Sequence, residues 1–291
     1  MIHNDHKTET NQEHAGWMIV QLHTISRYFY CNGFLRKKRP QLSKKMDAIL
    51  RFIQVQFLFY FIDALNPYLF STYATLSSNM KMYWTQSMVS TMVCLYMWGN
   101  IVAEMRVLDF SDYTSYTTSP GLMNVFQTFT GYIVFDLSLY LRYRTAWPSA
   151  NTYIVHHLVA LTMMPCLLMN QLFPHTQIAQ ALLAEITSPF VNQLYFFKTA
   201  GMKGRLFRIN GVLVVVVWFL FRVVNFAVIW ARIYRNYDPA LATPVYKLIA
   251  FFFAVVYYMQ LHWFYKIVRG CVKELNGFAG PAQHDANRRR F

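Results

Sequence analysis

Residues 208–231 read RINGVLVVVVWFLFRVVNFAVIWA. The run exceeds the roughly 20 residues that an α-helix needs to cross about 30 Å of hydrocarbon. Only Arg222 and Asn225 interrupt its long apolar stretch, and an ionisable group there costs roughly 2.5–3.5 kcal/mol on insertion scales. Such a group therefore faces the interior of a bundle or a wet cavity. The rest of the chain has the same character. Of its 291 residues 55% are hydrophobic, 18% aromatic and only 14% charged, with a mean hydropathy of +0.23. Soluble domains carry about 25% charged residues. Closed β-barrels, the other structure able to span a bilayer, need alternating segments of about ten residues, which these unbroken runs do not show. The fold class is all-α, a polytopic membrane helical bundle.

Working outward, seven transmembrane spans are expected, at about residues 49–70, 84–105, 122–142, 152–172, 177–197, 208–231 and 245–268. Asp63 and Pro67 interrupt the first. Glu185 and Pro189 interrupt the fifth, which reads as a kinked or re-entrant element. An odd count places the termini on opposite sides, but Lys and Arg are balanced across the loops and do not choose an orientation. Residues 1–48 form a basic N-terminal extension, lying on the membrane surface or disordered, with Arg36, Lys37, Lys38, Arg39, Lys44 and Lys45 clustered near its end. Residues 49–273 form the transmembrane domain, and 274–291 a basic C-terminal tail. The polar, partly acidic first 16 residues argue against a cleavable signal peptide, leaving the first span to direct insertion.

The net charge of +14, with a pI of about 9.7, sits mostly in tails and loops. Basic segments flanking helices match anionic headgroups, so membrane lipids are the expected partners and nucleic acid is not. Cys31, Cys94, Cys166 and Cys271 lack paired spacing, and neither a disulfide framework nor a zinc motif follows. Nucleotide loops, dinucleotide fingerprints and a nucleophile elbow are absent.

Four places carry polar chemistry inside spans. In GYIVFDLSLYLRYR, residues 131–144, Tyr132, Asp136 and Tyr140 fall at i, i+4, i+8 on one helical face. In YIVHHLVAL, the adjacent His156 and His157 diverge by about 100° around the helix, so both cannot aim at one point. An imidazole there serves as base, nucleophile, metal ligand or interfacial packing group. In ALLAEITSPFVNQLYFF, Glu185, Ser188 and Asn192 share one face, and Pro189 frees the carbonyl of Glu185 from its usual helical bond. Arg222 of the sixth span suits a structural ion pair with Asp136 or Glu185. A metal site is not expected, because no HExxH or cysteine-rich spacing is present.

On these residues the chain resembles the TLC-domain family of membrane proteins, which includes ceramide synthases and the ceroid-lipofuscinosis neuronal protein. The resemblance covers about residues 50–273 and rests on GYIVFDLSLY, YIVHHLVAL, LLAEITSPFVNQLYFF, INGVLVVVVWFLFR and FYKIVRGCVK. Within the family it looks most like the small TLC-domain-containing transmembrane proteins, whose E-x-S-S-P-F-V-N element Glu185 to Asn192 nearly reproduces. Ceramide synthases pair the histidines with two aspartates three residues apart in the following span. Here Glu185 falls near the first position and Ser188 takes the second, so that acid/base pair is incomplete.

The resemblance implies a TLC-like bundle that binds lipid, with sphingolipid or fatty acyl species as partners, influences membrane lipid homeostasis and resides in the endoplasmic reticulum or another endomembrane. No cofactor is expected. The expected lipid cavity comprises Tyr132, Asp136, Tyr140, His156, His157, Glu185, Ser188, Asn192 and Arg222. One alternative is an acyltransferase of the ceramide-synthase type, using acyl-CoA with His156, His157 and Glu185 as catalytic candidates. Another is a lipid transport or cargo-escort protein.

Overall fold

The computed structural model describes residues 40–110, 119–170, 174–235 and 244–288, with side chains other than those of residues 165, 166, 168–170 and 275–288 and of the first turns before Asp47. Most of the N-terminal extension, residues 1–39, therefore lies outside the described residues. The chain divides into two units, Met1–Met46 and Asp47–Phe291. Among the described residues every regular element is helical: α1 Pro40–Leu69, α2 Ser71–Ala74, α3 Ser78–Glu104, α4 Pro120–Arg142, α5 Ala150–Asn170, α6 His175–Leu182, α7 Thr187–Thr199, α8 Arg205–Trp218, α9 Asn225–Arg235 and α10 Pro244–Arg288. A 3₁₀ turn, Leu183–Ile186, joins α6 to α7, and a π turn, Phe219–Val224, joins α8 to α9. Each of the seven expected spans overlaps a helical segment. Among the described residues, three helical stretches are long and apolar enough by themselves to cross a membrane: Asp47–Leu69, Arg205–Arg235 and Pro244–Glu274.

Six helices close a packed ring, α3 on α4, α4 on α5, α5 on α10, α10 on α8, α8 on α7 and α7 back on α3. Local chemistry fixes the corners. Ser119 caps α4 by accepting from the Leu122 N–H at 3.0 Å, Pro120 sits at the first helical position, and the Ser119 hydroxyl donates to Glu104 at the end of α3, at 2.6 Å. At the far end of α7, Gly201 adopts φ +68°, and the Met202 N–H reaches back to the Phe197 carbonyl at 2.8 Å, closing the helix with a left-handed residue that glycine tolerates best.

The distribution of polarity is that of a membrane bundle. Asn66, Thr85, Gln86, Ser87, Asp136, His157, Arg222 and Gln260 are buried, while Phe57 (72% exposed), Tyr68 (86%) and Tyr258 (70%) stand outside. Water would penalise such a surface; hydrocarbon does not, and in hydrocarbon the polar groups must pair internally. α1 shows the pattern in small. Phe52 and Phe59 pack edge-on against Phe135 of α4, with ring centroids 6.2 and 5.3 Å away. On the same stripe Asn66 donates to Thr85 at 2.9 Å, and Asp63 accepts from Thr85 at 2.8 Å and Tyr73 at 2.5 Å. Asp63, an interruption in the first span, thus anchors α1 to α3. Burial, followed by the Asp63 carboxylate, pushes the phenol of Tyr73, which lies in the connecting helix α2, up to about 12.

Gly131 sets how closely α1 and α4 approach. A Cβ there would lie 2.7 Å from the Phe52 backbone nitrogen and 2.9 Å from the Arg51 carbonyl carbon, whereas a Cβ at Gly99 meets nothing within 4 Å. Alanine favours a helix over glycine by about 1 kcal/mol, but overpacking against backbone costs about 1–3 kcal/mol. Gly131→Ala is therefore expected to lower the melting temperature of the purified protein in detergent while Gly99→Ala leaves it unchanged or raises it. Equal melting temperatures for the two variants would show that the α1–α4 contact is loose.

Candidate functional site

Two polar centres lie side by side, separated by the divergence of the adjacent histidines. His157 turns towards α4, where its Nε2 meets the Asp136 carboxylate at 2.6 Å, both residues being buried. The other ring nitrogen of His157, Nδ1, is buried with no hydrogen-bond partner. Asp136 also accepts from Gln86 of α3 at 2.6 Å, and the one Tyr132 hydroxyl proton is divided between Ser90 at 2.9 Å and Asp136 at 3.4 Å. Tyr140, one turn further along the same face, packs its ring against His157, Trp147 and Tyr153. Asp136 is thus the hub of a network joining α3, α4 and α5.

His156 faces the other way. Its ring contacts Trp263 of α10 at 5.6 Å, its Nδ1 is buried with no hydrogen-bond partner, and it lines a partly open cavity of about 110 Å³. The cavity runs between α5, α6, α9 and α10 over an apolar wall that includes Met163, Leu167, Ile178, Phe226, Ile229 and Phe253, and it reaches Glu185, Arg222 and Gln260.

Arg222 organises the polar wall. Its Nε is shared between the Ala184 carbonyl at 3.1 Å and the Thr187 hydroxyl at 2.6 Å. Nη1 donates to Gln260 Oε1 at 3.0 Å and Nη2 to Glu185 at 3.2 Å. The guanidinium also lies over the Trp218 ring, 4.6 Å from its centroid. The sequence places it there for a reason. The 3₁₀ turn at Leu183–Ile186 breaks the regular ladder of the fifth segment, a carbonyl at the break needs a donor, and the planar fork of arginine supplies several at once. Ser188 donates to the same Glu185 oxygen at 3.3 Å. Glu185 thereby has a cation and a hydroxyl within reach, which keeps its carboxylate paired in a low-dielectric wall.

The nine residues expected to share one cavity therefore divide. His156, Glu185 and Arg222 line it. Ser188 supports Glu185. Tyr132, Asp136, Tyr140 and His157 belong to the neighbouring network, because successive helical residues point about 100° apart and His157 takes the α4 side. Asn192 is turned to α3, donating to the Ser87 carbonyl at 2.9 Å and Thr91 at 3.1 Å, and acts as a tie between helices. Gln86, Thr187, Trp218, Gln260 and Trp263 are the residues that inspection of ionisable groups misses. A neutral amide in an apolar run carries the same cost argument as a charge on a smaller scale, and Gln86 and Gln260 are each the amide of such a run. No group of three His, Cys, Asp or Glu side chains among the described residues is arranged to hold a metal ion.

A ring of membrane-type helices around a buried carboxylate–histidine pair and a cavity with one polar wall defines a multi-pass membrane protein of the helical-bundle class. Residues 78–269 match the TLC domain, and the chain belongs to that family of integral membrane proteins. It is similar to TLC domain-containing protein 4 of Homo sapiens, 28% identical over 244 residues that cover 78% of this chain and 89% of the relative. It is also similar to TLC domain-containing protein 4-B of Danio rerio, 28% identical with 75% and 86% covered, and to TLC domain-containing protein 4 A of Dictyostelium discoideum, 24% identical with 69% and 79% covered.

Removing one member of a buried ion pair strands its partner at a cost of about 3–5 kcal/mol, whereas replacing both with apolar side chains is far milder. Arg222→Met should therefore unfold at markedly lower temperature than wild type, and Arg222→Met combined with Glu185→Leu should recover part of the loss. A strictly additive double mutant in thermal unfolding would show that Glu185 does not depend on Arg222.

Proposed function

We propose that this protein binds a lipid in the cavity between α5, α6, α9 and α10 and acts through it in membrane lipid homeostasis, in the endoplasmic reticulum or a related endomembrane. The observation that carries this reading is the pairing of a long apolar wall with hydrogen-bonding groups at His156, Glu185 and Gln260. Apolar pockets with a few placed polar groups fit amphiphiles, the apolar wall taking a chain and the polar groups orienting a head. The charges of Arg222 and Glu185 offset each other in the wall. That balance favours a head group that hydrogen-bonds without a net charge, such as the hydroxyl or amide of a sphingoid or fatty acyl lipid.

One observation favours a second reading, acyl transfer. His156 presents an imidazole to the cavity beside His157, which a carboxylate holds in place. In that reading His156 takes the proton from an amine or hydroxyl nucleophile as it attacks an acyl-CoA thioester and the CoA thiolate leaves. A general base needs hydrogen-bond reach to the proton it removes, and a second acid group to manage the leaving thiolate is lacking where Ser188 stands.

The two readings part in a paired assay on purified wild type, His156→Ala, Glu185→Ala and Ala250→Phe, the last aimed at filling the cavity wall. Lipid identified by native mass spectrometry is expected in wild type and reduced at least tenfold in all three variants, with no acylated product when acyl-CoA and a sphingoid base are supplied. Turnover by wild type that is lost in His156→Ala would make the protein an acyltransferase. Lipid retained in Ala250→Phe would show that it sits elsewhere than in this cavity.

A further inference from the structure

A second groove lies between α7, α8 and α10, apart from both polar centres. It has a volume of about 260 Å³, and three cationic side chains from three different helices line it: Lys198 of α7, Arg208 of α8 and Lys266 of α10, with Glu274 the one acidic group. The rest of the lining is largely apolar, from Val191, Leu194, Phe207, Val214 and Ile267. Gly211 and Gly270 lie on the walls, and a Cβ at either would meet nothing within 4 Å, so the missing side chains contribute open space. Position along the helices locates the groove relative to a bilayer. Arg208 falls at the start of the span-length stretch Arg205–Arg235, and Lys266 and Glu274 fall at the end of Pro244–Glu274. These are the levels at which a transmembrane helix leaves hydrocarbon for headgroups.

From these observations we infer that the groove is a binding site for an anionic phospholipid, its phosphate held by Lys198, Arg208 and Lys266 and an acyl chain lying on the apolar floor. Three cations against one carboxylate leave an excess of positive charge in a concave, partly apolar setting, which attracts an anionic headgroup and gives a zwitterionic one little preference. Lysine supplies a point charge to phosphate and arginine a planar fork, so the three donors together suit a tetrahedral anion. The apolar floor distinguishes this site from one for free phosphate, which has no use for Val191 or Ile267. The cavity beside Arg222 differs in composition, with one arginine and one glutamate in its lining.

The test uses the full chain purified in a neutral detergent and titrated with short-chain phosphatidylglycerol, short-chain phosphatidylcholine or inorganic phosphate, with binding read by native mass spectrometry and thermal shift. Phosphatidylglycerol is expected to bind at least tenfold more tightly than phosphatidylcholine, with an affinity that falls as salt is raised, and inorganic phosphate is expected to give no shift over the same range. Lys198→Gln with Lys266→Gln should weaken phosphatidylglycerol at least tenfold. Gly270→Leu, which adds a good helix former pointing into empty space, should block it while leaving elution and the unliganded melting temperature near wild type. Equal affinity for the two phospholipids, unchanged binding in the variants, or a shift by inorganic phosphate matching that of phosphatidylglycerol would overturn the assignment. The wild-type comparison decides the matter even if a variant fails to fold.

Discussion

A guanidinium buried in a membrane bundle must find acceptors for its donors, and Arg222 finds them on three elements at once. It bonds to the 3₁₀ turn between α6 and α7 through the Ala184 carbonyl and Glu185, to the start of α7 through Thr187, and to α10 through Gln260. Gln260 is held in turn, since its own carbonyl accepts from the Trp218 indole at 3.2 Å. In a low dielectric none of these partners can be exchanged for water, so the positions of α7, the α8–α9 helix and α10 are mutually fixed. The cavity owes one wall to this constraint. Lysine could not substitute, because its single ammonium cannot span acceptors so far apart in one plane.

The second consequence is a division of labour between adjacent residues. Asp136 ties Gln86, Tyr132 and His157 together across the contact of α3, α4 and α5, while His156 stands one residue away with Trp263 across from it and the cavity beside it. Two histidines in succession thus take two places, one in the helix contact and one on the cavity wall. Their rings remain near each other, with centroids 5.5 Å apart.

Much of this was legible in residue order, and the rest fails for identifiable reasons. Apolar length and sparse charge determine an all-helical membrane bundle, and the cost of burial picks out Asp136, His157, Glu185 and Arg222 as groups needing partners. Pairing is less accessible. Asp136 and Glu185 are equal candidates for Arg222 from sequence, and the choice follows from the ring order of the helices, which depends on residues far apart in the chain. Asn192 looks like a cavity residue by its spacing, yet its partner is a backbone carbonyl on α3 that no pattern announces. Pro189 correctly signals a break in the fifth segment but misplaces it. The irregular turn lies earlier, at Leu183–Ile186, and the proline falls in the first turn of α7, where its missing N–H costs little.

The π turn at Phe219–Val224 also explains a peculiarity of spacing. Val214, Trp218, Arg222 and Phe226 are buried at intervals of four residues, followed by Ile229 at three. In an unbroken α-helix each step of four advances the side chain by about 40° beyond a full turn, so the steps from Val214 to Phe226 would carry the buried edge about 120° around the axis. A π turn accommodates roughly one surplus residue, which takes back about 100° of that drift. The helix thereby keeps tryptophan, arginine and phenylalanine in one file facing α10, behaving as two ordinary helices joined out of phase. Were the turn to relax to regular α-helix with every residue kept, Phe226 and Ile229 would swing about 100° out of the file that Val214 and Trp218 begin.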